Sequence, residues 1–113
     1  MLHQESTNDF VVILTTAPSG AVAQTLARGL VTSRLAGCVN ILSAVQSVYR
    51  WQDEVEQASE CQRIIKTRQT LVERVFQQLA AEHPYDAPEL LVLPLVGGST
   101  SYLSWLQQVT GAS

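Results

Sequence analysis

The stretch His83-Pro-Tyr-Asp-Ala-Pro-Glu89 brings an imidazole, a phenol and two carboxylates close together, stiffened by two prolines. A neutral imidazole ligates Cu(II) or Zn(II), or moves protons near neutrality. The carboxylate of Glu82 precedes it. His83 is the only histidine besides His3, and a single imidazole at a helix end also serves as a cap or a local hydrogen-bond donor. Further polar groups come from the middle of the chain. Glu56, Glu60 and Lys66 share strand parity, and Tyr49 and Trp51 precede them. Glu60 and Lys66 lie about 20 Å apart along a strand, at about 3.3 Å per residue, so a site using both needs other strands or another subunit. Cys38 is a soft metal ligand where it is exposed and a small core residue where it is not; Cys61 carries the same ambiguity.

Gly-rich phosphate loops, His-Glu-x-x-His and Gly-x-Ser-x-Gly are all missing, and His83 is the only plausible general base, so nucleophilic catalysis has no support. A hydrolase or isomerase using His83 and Glu89 as acid and base is the weakest of the readings.

The elements that position these groups follow from hydrophobic spacing. Phe10 to Thr16 is an apolar, β-branched run that reads as a strand buried on both faces. Ser19 caps a helix with Val22, Ala23, Leu26, Ala27, Leu30 and Val31 at helical spacing, closed by Gly37. From Cys38 the period becomes two, with Val39, Ile41, Val45, Tyr49 and Trp51 on one face. Gln52-Asp53-Glu54 breaks the run before a strand ending in Ile64-Ile65-Lys66-Thr67, which makes a long hairpin. Between Val55 and Arg63 neither face is cleanly apolar, a pattern that suits equally a ribbon projecting toward another subunit and a solvated hairpin that frays at its tip. Thr70-Leu-Val-Glu73 is a capping box for a second helix, which ends at Glu82-His83 before Pro84. Glu89 to Val96 is a fourth strand, Gly97-Gly98 a break, and Tyr102, Leu103, Trp105, Leu106 and Val109 mark a last helix.

The order βαββαβα is the split βαβ arrangement of a ferredoxin-like α+β sandwich, with the first and third strands central and two helices on one face. The other face needs a cover that the short last helix is too small to supply, so an oligomer is expected. Residues 1–8 read as a loose tail, and 9–113 as one domain.

Composition sets the outer limits. The chain has 113 residues, only 15% of them charged, and a net charge of −3, against about 25% charged in average domains. The acidic balance argues against a nucleic-acid partner. Two cysteines outside any Cys-x-x-Cys pair fit reduced thiols, and no apolar run reaches the roughly 20 residues of a bilayer helix. A cytoplasmic protein without membrane association is expected.

Thr15-Thr-Ala-Pro18, Arg34-Leu-Ala-Gly-Cys-Val-Asn-Ile41, Ser47-Val-Tyr-Arg-Trp51, Lys66-Thr67, His83-Pro-Tyr-Asp-Ala-Pro-Glu89 and Tyr102-Leu-Ser-Trp105 together resemble the CutA family of divalent-cation tolerance proteins, in order from Phe10 to Trp105. The resemblance implies a fold similar to the PII signalling proteins, a homotrimer built through the hairpins, and weak binding of a divalent ion such as copper or zinc, without an organic cofactor. It also implies an inter-subunit cleft lined by Cys38, Tyr49, Trp51, Glu60, Lys66, His83, Tyr85 and Glu89, with His83, Glu82 and Cys38 as candidate metal ligands. In one bacterial branch the copper ligands are a first-strand cysteine and two histidines; those places here hold Thr15, Glu82 and His83. Oxygen donors favour harder ions. The alternative implied function is a PII-like sensor or adaptor with an anionic ligand in the cleft near Lys66.

Overall fold

The computed structural model describes residues 2–3, 9–82 and 89–111. Ten elements run in the order β1 (Leu2–His3), β2 (Phe10–Ala17), α1 (Gly20–Thr32), β3 (Cys38–Trp51), β4 (Glu54–Arg68), a 3₁₀ turn (Gln69–Leu71), α2 (Val72–Glu82), β5 (Leu90–Pro94), β6 (Gly98–Ser99) and α3 (Thr100–Val109). The main sheet has the strand order β3-β4-β2-β5. This is the ferredoxin-like α+β arrangement, with the first and third long strands in the middle. Among the described residues no helix is long and apolar enough to cross a membrane.

Strand alternation decides which side of the sheet each residue serves. Val11, Ile13, Thr15 and Ala17 of β2 are fully buried, and they pair with Thr67, Ile65, Arg63 and Cys61 of β4. This side packs on Leu30 of α1 and on Val75 and Leu79 of α2. Val12, Leu14 and Thr16 point the other way and are only half-buried, so β2 is sealed on one face rather than on both. Here α3 covers one end, where Leu103 and Leu106 enclose Phe10. At Gly37 an added Cβ would stand 2.5 Å from Leu106 Cδ1. Gly37 therefore lets α3 close onto the sheet and does not terminate α1, which ends at Thr32 with Arg34 in the left-handed region, φ 65°.

Two local departures shape the hairpin. Gln52 and Asp53 both have positive φ, 51° and 65°, as the two central residues of a type I′ turn must. The second is a bulge. The register steps from Leu42↔Gln62 to Val45↔Glu60, with Ala44 at φ 57°. One extra residue in β3 inverts its alternation, so Val39 and Ile41 face the helices while Val45, Tyr49 and Trp51 face the open side, not one shared face as simple alternation predicts. Beyond Cys61, β4 loses β2 and pairs with β3 alone, leaving a two-stranded ribbon. The molecule is correspondingly elongated, 45 × 25 × 22 Å.

Two terminal details also differ from the expectation. Leu2–His3 forms an antiparallel bridge with Gly98–Ser99, so part of the expected loose tail is strand. The second helix starts at Val72 after the 3₁₀ turn instead of at Thr70.

A buried cation joins three elements on the helix side. Arg63 is fully buried; its Nη1 and Nη2 donate to the two carboxylate oxygens of Glu82 at 2.9 and 2.7 Å, and Nη2 also donates to the Thr16 carbonyl at 2.7 Å. β2, β4 and the end of α2 are tied at one point. Removing one partner of a buried pair leaves an uncompensated charge, whereas replacing both with apolar groups is often neutral. Glu82→Ala is expected to cost about 3–5 kcal/mol, while Arg63→Met combined with Glu82→Leu should fall within about 1 kcal/mol of the native chain or above it. Urea unfolding measures both, and a native midpoint for Glu82→Ala would show that the pair does not hold these elements together.

Candidate functional site

The open side of the hairpin carries the candidate groups in a row. Paired across β3 and β4 from the tip inward stand Trp51 with Glu54, Tyr49 with Glu56, Val45 with Glu60, Leu42 with Gln62, and Cys38 with Lys66. Trp51 and Tyr49 are 54% and 42% exposed, far more than a monomeric aromatic anchor should be. Glu60, Lys66 and Cys38 are half-buried. Glu89 joins the row from the start of β5, its carboxylate accepting from Gln62 Nε2 at 3.1 Å. The same Nε2 lies 3.3 Å from the Thr15 carbonyl.

Cys38, Tyr49, Trp51, Glu60, Lys66 and Glu89 thus belong to one surface, but not to one point. Thirteen residues of β3 separate Cys38 from Trp51, about 40 Å of strand. His83 and Tyr85 lie outside the described residues. The three candidate metal ligands are also divided: Cys38 pairs with Lys66 on the open face, whereas the Glu82 carboxylate is held by Arg63 on the helix face. Within one chain Cys38 and Glu82 cannot share an ion. Among the described residues no three His, Cys, Asp or Glu side chains converge.

Thr15 and Glu82 both lie beside Arg63: Thr15 is the cross-strand neighbour of Arg63, whose head group holds the Glu82 carboxylate. Sequence reading passed over Arg63. The available signal was its parity: it stands between Cys61 and Ile65, both buried, and a cation in a core row requires an acid. Cys61 proves to be a core thiol, packed near Ala17, Ala23 and Ile41.

At the inner end of the row, Cys38 approaches α3. Tyr102 and Trp105 pack together there with ring centroids 5.3 Å apart and planes tilted by 48°. Burial, and secondarily the charge of the Cys38 thiolate, raises the Tyr102 phenol above its ordinary pKa of 10.0. The folded chain then holds this proton more tightly than the unfolded chain. The associated stability is intact below the ordinary phenol pKa and is lost as pH rises through the higher value of Tyr102. Difference absorbance between the native chain and Tyr102→Phe is expected to show this phenol titrating above the ordinary phenol value, and Cys38→Ser should lower it. A Tyr102 transition at the ordinary value would contradict the placement of this ring.

Known proteins share this architecture. The family model described as CutA1 divalent ion tolerance protein matches residues 11–109. The divalent-cation tolerance protein CutA of Pectobacterium atrosepticum is 49% identical over 98 residues, covering 87% of this chain and 89% of that protein. The one from Thermus thermophilus is 43% identical over 100 residues, covering 88% and 97%. The solved structure of CutA from Synechococcus elongatus superposes with a TM-score of 0.88 at 35% identity, covering 98% of this chain and 96% of the other. A match that runs from β2 to the end of α3, in sequence and in fold, places this chain in the CutA1 divalent ion tolerance family.

Proposed function

We propose that the chain acts as a cytoplasmic homotrimer that binds divalent cations weakly between its subunits and takes part in the response to metal ions, without catalysis or an organic cofactor. The observation that carries the assembly is the uncovered face. Leu42, Leu91 and Leu93 are 44%, 54% and 45% exposed on the open side of the sheet, and Val48 and Val55, on the other face of the projecting ribbon, are 67% and 66% exposed. Large apolar side chains left exposed on the open sheet face, and on a ribbon with no helix over it, mark an interface. Association brings groups from different chains together, which one chain fails to do for Glu60, Lys66 and Glu89. The names of the relatives supply the cation, and His83 with the open-face carboxylates supplies the donors. Glu82 is occupied by Arg63, so it contributes only where that pair opens.

Light scattering is expected to give three times the chain mass, and Leu91→Glu with Leu93→Glu should reduce it. A native chain that stays monomeric at micromolar concentration would rule the assembly out. Calorimetry with Cu(II) and Zn(II) should show binding that His83→Ala weakens about tenfold or more; equal binding by both proteins would remove His83 from the site.

Lys66 favours a second reading. It is the single lysine, half-buried, and among the described residues its ammonium has no carboxylate partner; the ion pair found there is Arg63–Glu82. A small anion between subunits fits it, as in a PII-like sensor. Thermal-shift measurements with nucleotides and carboxylate metabolites should then raise Tm for the native chain and not for Lys66→Gln. No shift with any of them would dismiss this reading.

A further inference from the structure

The Arg63 head group occupies a point on which oxygen atoms converge. Glu82 Oε2 and the Thr16 carbonyl oxygen each lie 2.7 Å from the same nitrogen, Nη2, and Glu82 Oε1 lies 2.9 Å from Nη1. The Thr15 hydroxyl is 3.5 Å from that carbonyl, and Thr15 and Arg63 are both fully buried. A carboxylate and a carbonyl are the donors that suit hard divalent ions, which take oxygens at about 2.3–2.6 Å in the calcium case. The oxygens around Nη2 would need to close in by only a few tenths of an ångström. At the other end of the group, Nε is buried without a hydrogen-bond partner. An unmet buried donor carries a desolvation penalty, so the guanidinium is not held there as a fully satisfied structural hub. Its engaged nitrogens are the ones that face the oxygens.

We propose that Arg63 is the resident cation of an oxygen-donor site formed by Glu82 and the Thr16 main chain, and that its presence keeps hard divalent ions from that site. Arg63 is then a specificity-determining residue. A tethered cation has a very high effective concentration, so it outcompetes ions from solution. This holds whether or not metal binds between subunits.

Mn(II), read by loss of the free-ion electron paramagnetic resonance signal, tests it on the full chain. Arg63→Met replaces the aliphatic stem and vacates the head-group position; this variant is expected to take up one more Mn(II) per chain than the native protein, at least tenfold more tightly than any native uptake at Glu82. Adding Glu82→Gln should abolish the gain, and Arg63→Lys, which keeps a cation, should behave as native. Uptake by Arg63→Met equal to native, or a gain that survives Glu82→Gln, overturns the proposal. A second measurement does not need an Arg63 variant to fold: Glu82→Gln in the otherwise native chain should leave Mn(II) uptake unchanged, and a decrease overturns the proposal. Failure of the inter-subunit reading looks different, as His83→Ala then binds metal like the native chain whatever residue 63 is.

Discussion

A sheet has two faces, and this chain has helices for little more than one. α1 and α2 lie over the side carrying Val11, Ile13 and Ile65. The remaining helix, α3, has ten residues, about 15 Å at 1.5 Å per residue, while β3 and β4 have 14 and 15 residues and extend about 45–50 Å. α3 covers roughly a third of that length. It is spent on Phe10 and on the glycine seat at Gly37, and its far end is fixed by Arg68, which donates to both Thr110 Oγ1 and the Thr110 carbonyl at 3.0 Å. Everything outward of Lys66 on that face is left to solvent or to other chains. The candidate site lies in this uncovered region, and for that reason its parts are spread along a strand.

The two faces of β4 carry different chemistry at alternate residues. Cys61, Arg63, Ile65 and Thr67 are buried on the helix side, while Glu60, Gln62, Ile64 and Lys66 are half-buried on the other. Polar side chains on the buried side are mostly partnered: Thr67 donates to the Leu35 carbonyl at 2.6 Å, and the Arg63 Nη atoms reach Glu82 and Thr16, with Arg63 Nε the buried donor left over. Polar groups on the open side have fewer fixed partners, since water can serve them. The strand that holds the core together is thus also the strand that offers ligand donors.

Fold class and the positions of the main elements were legible in the sequence because they are written in short-range periodicity, and the central place of β2 and β4 follows from right-handed crossovers; the end of α1 and the start of α2 were not, since α1 stops at Thr32 and a 3₁₀ turn precedes α2. β2, α1, α2 and α3 each show it within a dozen residues. The bulge at Ala44 was not legible, because alanine gives no compositional hint of a positive φ, yet this one residue decides which face Val45, Tyr49 and Trp51 join. The Arg63–Glu82 pair was hidden for a different reason. Its members are 19 residues apart on elements of unlike period, and only the crossover that lays α2 over β4 brings them together. The common side of Glu56, Glu60 and Lys66 was legible because their parity is local to one strand, whereas the bulge is what brings Tyr49 and Trp51 to that side. Grouping Cys38 with Glu82 was not sound, since faces of a sheet do not communicate within a chain.

Charge follows from the same geometry. Glu54, Glu56 and Glu60 all stand on the open side of the ribbon, and the single lysine lies at its inner end, six residues from the nearest of them. In an isolated chain these carboxylates face water and repel one another weakly. In the proposed trimer the ribbons converge, water is displaced, and like charges from three chains approach in a medium where their interaction grows severalfold. Arg63 cannot relieve this, because it is turned to the other face and committed to Glu82. Two remedies remain: pairing with the arginines of a neighbour, or uptake of cations from solution. On the proposed function, uptake of divalent ions is the remedy that a trimer assembled through an acidic ribbon would draw on, which ties the proposed assembly and the proposed ligand to the same three carboxylates.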